Sequence, residues 1–445
     1  MKYHKQAIPI LIALLVTIPG LYCRLAGVDL APPMMAILGG AAILGAAFLV
    51  LWASDVAQMD ISQTLAVALI ALVAVLPEYA VDMYFTWMAG RNPEGEYAQY
   101  AIANMTGANR LLIGVAWGVI AVIFWIKTRK AVVLEAERRT EVLFLGLATV
   151  YAFVIPLKGT LAWYDGVVLI GLFAWYITIA SKRPCVECIP EGPAQYIANM
   201  PQGPRRTITT LMFLYSAGTI LANSEPFSEG LVGTGKVLGI SEFLLVQWLA
   251  PIASEAPEFT VAIIFAMRAQ AGLALGSLLS AKLNQWTLLV GMIPWVYAIS
   301  SGTLAHPIPM GSYQMNEILL TAAQSLLAMV ILATLRLSIG QAMLLFALFF
   351  GQFIAPVAVP YIAHLVPIAL TGEQVHQLFS ALYLMSAATL ILDKPDRFKD
   401  LWTGFRVSPE DIGLTCEPRH ILTAELADKG GRKAERGNRR ERQGG

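Results

Sequence analysis

ALIALVAVLPEYAVDMYFTW (residues 68–87) and LLVQWLAPIASEAPEFTVAIIF (residues 244–265) decide how this chain reads. Each is an apolar run interrupted by a Pro-Glu pair, Pro77-Glu78 in the first and Pro257-Glu258 in the second. A carboxylate within a membrane span is costly, so it marks a functional site by default. A proline beside it opens the helix hydrogen-bond ladder and frees backbone carbonyls, here expected near Ala71 and Ile252. Acid plus freed carbonyls is cation chemistry. Its occurrence once in each half points to a duplicated ion transporter.

The rest of the chain agrees. Of its 445 residues 57% are hydrophobic and 14% charged, with mean hydropathy +0.63. A soluble domain carries about 25% charged residues. Apolar runs near the length needed to cross about 30 Å of hydrocarbon recur throughout. The reading is an all-α polytopic membrane protein with about twelve transmembrane helices, near 7–23, 32–53, 62–89, 97–126, 141–157, 162–181, 207–224, 241–267, 271–299, 317–335, 339–359 and 375–392. The first, after MKYHK, lacks a small-residue cleavage site and is read as a retained helix rather than a signal peptide. Four cysteines do not form a disulfide framework.

Loop charge sets the orientation. With the N-terminus inside, the cytoplasmic side collects Lys2, Lys5, Lys127, Arg129, Lys130, Arg138, Arg139, Lys182, Arg183, Arg205, Arg206, Arg268 and Arg336, and the outside keeps Arg24, Arg91, Lys158 and Lys236. The positive-inside rule therefore expects an even number of spans with both termini cytoplasmic, in a cell membrane. Residues 182–206, polar and rich in Pro and Gly, read as a cytoplasmic linker between halves 32–181 and 207–360. Residues 1–31 and 361–393 each add one helix, and 394–445 reads as a cytoplasmic tail with a disordered end.

Aligning the two Pro-Glu pairs aligns their surroundings. Ile61-Ser62 opens the first acid helix and Ile240-Ser241 the second, and AIANMTGAN (101–109) then falls on ALGSLLSAK (274–282), with small residues in corresponding places. Small residues let helices approach closely. The acid helices are the third and eighth spans, so the copies cross in opposite directions. Such inverted five-helix repeats place their substrate site near the midplane between the copies.

At these residues the chain resembles the calcium/cation antiporter superfamily, which includes the sodium/calcium exchangers. That family carries a G-T-S-L-P-E helix followed by a G-N-x-x-G-S-N-x-x-N helix in each repeat. Here the first copy reads VAVLPE (73–78) and ANMTGANRLL (103–112), and the second ASEAPE (253–258) and GSLLSAKLNQ (276–285). The segment FSEGLVGTGKVLGISEFLLVQ (227–247) is similar to the approach to the family's second acid helix. The resemblance covers roughly residues 32–360. It implies a secondary active cation antiporter, not an enzyme, that moves calcium or sodium against sodium or protons by alternating access.

The resemblance implies Glu78 and Glu258 as the central acids. The hydroxyl residues before the first acid become Ala74 and Val75, and those before the second become Ser254 and Glu255. The serine and last asparagine of the following helix become Ala108 and Leu112, then Ala281 and Gln285. The candidate ion ligands are thus Glu78, Glu258, Glu255, Gln285, Ser254, Asp82 and Asn104. Calcium takes 6–8 oxygens, and the first half has lost most of its side-chain oxygens. Two bases, Lys282 and Arg110, fall inside the motifs. Buried bases pair with buried acids, Asp82 and Glu255 being the nearest in sequence. The hypothesis is that Lys282 or Arg110 occupies one cation position permanently, with proton-coupled exchange, of sodium for example, at the remaining acids. Structural salt bridges in a non-transporting member remain an alternative, and so does a channel.

Cys185-x-x-Cys188 in the linker and Cys416-x-x-x-His420 in the tail would together supply a Cys₃His set suited to zinc, or a partner-binding cytoplasmic face. His306, His364 and His376 fall on the outer side at helix ends. Trp52, Trp87, Trp125, Trp163, Trp175 and Trp286 read as an interfacial aromatic belt. No G-x-x-x-x-G-K-[ST] run is present, which argues against an ATP-driven pump. The expected partners are membrane lipid and small inorganic cations, with no nucleic acid.

Overall fold

The computed structural model describes residues 2–61, 75–182, 190–362, 371–399 and 401–405. The described residues are helical almost throughout. Helices α1 (Lys2–Ala26) and α2 (Pro32–Ala57) come first, with Pro32 in the first turn of α2, where its missing N–H is not needed. Then follow α3 (Leu76–Arg91), α4 (Tyr97–Thr128), α5 (Ala136–Lys158), α6 (Trp163–Ala180) and the short α7 (Pro193–Ala198). The second half holds α8 (Gln202–Leu238), α9 (Glu242–Met267), α10 (residues 271–301), α11 (Ser312–Leu332), α12 (Ile339–Ile362) and α13 (Gly372–Asp393).

Among the described residues, eight helices are long and apolar enough to cross a membrane: α1 (Gln6–Ala26), α2, α4, α5, α6, α9, α11 and α13. The other four expected spans correspond to α3, α8, α10 and α12. Residues 62–74, which would extend α3, lie outside the described residues. Boundaries moved where side-chain polarity hid a helix. The span expected at 207–224 runs from Gln202 to Leu238, straight through Pro226 and the polar SEP and SEG stretches. Part of the expected linker is also helical, as α7.

Two features recur at corresponding places in α2–α6 and α8–α12. The third helix of each half carries a π turn, Leu112–Ala116 in α4 and Gln285–Leu289 in α10. The loops also pair reciprocally. Val132–Val133, between α4 and α5, pairs antiparallel with Arg336–Leu337, between α11 and α12. Leu161, between α5 and α6, bridges Ile308, between α10 and α11. Exchanging the halves maps one pairing onto the other, as an inverted repeat requires.

The packing positions the site. Helix α2 lies along α8, with Phe227 seated on Gly39 and Gly40. Helix α4 crosses α9 so closely that a Cβ at Gly107 would overlap the carbonyl oxygen of Gln247. Small residues permit this approach without a hydrophobic driving force between helices in lipid. The two outer helices flank this body, α1 against α2 and α13 against α11.

At the ends of α2 and α8, Asp60 accepts from Arg205 Nε and Nη2, both at 2.8 Å, and from Arg206 Nε at 3.1 Å. The Arg205 fork holds the Asp60 carboxyl well below the usual carboxylate range.

Candidate cation site

Glu78 sits in the first turn of α3, directly after Pro77, and is buried. Helix α9 runs through Pro251 and Pro257 without a break, but neither proline has an N–H, so the carbonyls of Gln247 and Ala253 one turn earlier lack their ladder donors, close to the place expected around Ile252; Ala71 lies outside the described residues. The neighbouring helix adds a widened turn. Gln285 is the first residue of the α10 π turn, a feature common at functional sites. Its Nε2 donates to Glu78 Oε2 at 2.6 Å and to Glu255 Oε1 at 2.8 Å. One carboxamide thus uses both its hydrogens to hold two carboxylates from opposite halves side by side.

The second acid in this arrangement is Glu255, not Glu258. Helix α9 directs Glu255 at Gln285, while Glu258, three residues on, is half-buried and its Oε2 has no hydrogen-bond partner among the described residues. Ser254 turns its hydroxyl to its own helix, onto the carbonyls of Ala250 and Pro251. Asp82, one turn past Glu78, accepts from Asn104 Nδ2 at 2.7 Å. Tyr79 donates to Asn284 Oδ1 at 2.8 Å, tying α3 to α10 beside the acids.

Glu78 Oε1, Asp82 Oδ2, Asn104 Oδ1, Glu255 Oε2, Glu258 Oε2 and Gln285 Oε1 are buried oxygens to which no group among the described residues donates. Buried polar groups are almost always satisfied. A cluster of acceptors without donors is what a cation or protons complete.

The two bases have other partners than Asp82 and Glu255. Arg110 pairs with Glu317 in α11, both fully buried. Glu317 also accepts from Gln247 Nε2 at 2.9 Å and faces His376 Nε2 at 3.3 Å. Lys282 donates to Asn109 Oδ1 at 2.6 Å. Sequence reasoning missed Glu317, Gln247 and Asn109. Glu317 carried a signal, an acid leading the apolar run ILLTAAQSLLAMVIL. His376, expected at a helix end in a structural or solvated role, is buried against this pair. Trp286, expected in an interfacial belt, is buried beneath Lys282, whereas Trp87, Trp163 and Trp175 are exposed as such a belt requires.

Cys185, Cys188, Cys416, His420 and His364 lie outside the described residues. Among the described residues no group of three His, Cys, Asp or Glu side chains is arranged to hold a metal.

Paired carboxylates from inverted halves of a helical membrane protein define an ion-exchanger scaffold. The sequence profile of the sodium/calcium exchanger protein family matches residues 32–182 and 208–356, and the chain belongs to that family. It is therefore a transmembrane cation antiporter rather than an enzyme. The crystal structure of an H⁺/Ca²⁺ exchanger, CAX, is 39% identical and superposes with a TM-score of 0.84, covering 93% of this chain and 100% of that one. A structure of the sodium-calcium exchanger NCX_Mj soaked with Na⁺ and Sr²⁺ is 20% identical with a TM-score of 0.48, covering 74% of this chain and 98% of that one. An uncharacterized membrane protein of Methanocaldococcus jannaschii is 24% identical over 208 residues, which is 47% of this chain and 62% of that protein.

Proposed function

We propose that this chain exchanges calcium for protons at Glu78, Gln285 and Glu255, with Asp82, Asn104 and Glu258 as further ligands. The observation that carries the reading is the single carboxamide holding one carboxylate from each half. The 39% identity to the H⁺/Ca²⁺ exchanger supports calcium and protons as the exchanged pair. Two carboxylates with one Ca²⁺, or two carboxylic acids without it, carry the same net charge. The Glu78–Glu255 pair then presents an equal charge to the low-dielectric interior in either form.

Alternating access around a midplane site is the mechanism inverted repeats support. The halves 32–181 and 207–360, their extra flanking helices and cytoplasmic termini fit it, with the basic loops inside.

The test is radioactive calcium uptake into proteoliposomes under an imposed pH or sodium gradient. Uptake driven by the pH gradient and lost in Glu78→Gln is expected. Sodium flux driven by the pH gradient, without calcium flux, would replace calcium by sodium as the substrate. Conductance without coupling would indicate a channel, and no flux of either ion would overturn the reading.

A further inference from the structure

Lys282 is fully buried in α10, three residues before Gln285. A lysine in a membrane helix ordinarily snorkels to the interface or pairs with a carboxylate. Lys282 does neither, and among the described residues it forms no ion pair. Its ammonium instead donates to Asn109 Oδ1 at 2.6 Å and to the Asn109 carbonyl oxygen at 3.3 Å, and lies 4.4 Å from the centre of the Trp286 ring. Asn109 is itself fixed, since its Nδ2 donates to the Met105 carbonyl at 2.8 Å and leaves Oδ1 for the ammonium.

Two oxygens and an aromatic face are a cation's surroundings. Arg110, the other buried base, is neutralised by Glu317. The position is also singular in the repeat. With AIANMTGAN laid on ALGSLLSAK, Asn109 and Lys282 correspond, 173 residues apart. Where the copies meet, one supplies the oxygens and the other a charge on a four-carbon stem.

We propose that the Lys282 ammonium is a tethered cation resident in one ion position of the exchanger, so that no alkali cation is needed there. The proposal rests on reading Glu78, Gln285 and Glu255 as the transport site.

The experiment measures saturable binding of radioactive Na⁺, with Ca²⁺ binding in parallel, to purified wild type, Lys282→Ser and Glu78→Gln. Lys282→Ser should gain a Na⁺ site at least about tenfold tighter than any in wild type. Lys282→Ser that binds Ca²⁺ but no more Na⁺ than wild type overturns the proposal. Should that variant fail to fold, wild type decides. Its calcium uptake must be equal in Na⁺, K⁺, Li⁺ or choline, and about tenfold or greater stimulation by one alkali ion overturns the proposal. Calcium binding unchanged in Glu78→Gln sinks the transport-site reading separately, whatever the Na⁺ result.

Discussion

Glu78 Oε2 accepts a 2.6 Å hydrogen bond from Gln285 Nε2 across 207 residues of sequence. The bond joins the first turn of α3 to the π turn of α10, and the same amide also reaches Glu255. Removing the amide leaves two buried acids free to separate. Gln285→Leu should therefore weaken cation binding by about 10–100-fold, the usual effect of losing a group that orients ligands. Isothermal titration with calcium checks this, and binding within experimental error of wild type would count against the site.

The two glutamates of α9 should differ. Glu255 meets Gln285, whereas Glu258 Oε2 has no partner among the described residues. Glu255→Gln should abolish gradient-driven uptake and Glu258→Gln should retain part of it. The ratio of initial rates in proteoliposomes decides, and equal losses would restore Glu258 to the centre.

Arg110 and Glu317 form a pair buried on both sides. Breaking such a pair by removing one partner costs about 3–5 kcal/mol, because the other charge stays buried and uncompensated. Arg110→Leu should thus lower the unfolding midpoint in detergent sharply, while Arg110→Leu with Glu317→Leu should recover much of the loss. A double variant as unstable as the single one would show that the pair acts through more than charge balance.

Gly107 meets the Gln247 carbonyl where α4 crosses α9. Gly107→Val should force the helices apart, at about 1–3 kcal/mol or more, and pull Gln247 from Glu317. A variant with wild-type melting temperature and a monodisperse size-exclusion profile would contradict that crossing.

Asp60 gives a pH prediction with a definite sign. Its carboxyl is depressed chiefly by Arg205 in the folded chain. A depressed acid contributes stability above its unfolded value, near about 4, and loses it as pH falls through that range and below. Wild type should lose stability from about pH 5 downward more steeply than Asp60→Asn. Melting temperatures measured across that window test it, and parallel curves would show that the Asp60 cluster contributes nothing. The effect should shrink with added salt, since Arg206 is exposed.

The sequence by itself determined the class of the protein. Apolar runs, the charge asymmetry of the loops and two intramembrane acids are local properties, and each follows from what a bilayer permits. The repeat was legible for the same reason, since AIANMTGAN and ALGSLLSAK keep small residues wherever helices must touch. Glu78 was legible because an acid in an apolar run has no bland explanation.

Only the tertiary structure decided which groups meet. Glu255 and Glu258 both stand in α9, and no local rule says which one turns toward Gln285. That depends on the rotation of α9 in the bundle, where it packs on α4 through Gly107 at Gln247 and meets α10 at Gln285. The partners of Arg110 and Lys282 lay 207 and 173 residues away, in helices that the sequence does not order in space. A buried charge must find a partner, and the sequence states that need. Which partner it finds is a matter of helix packing.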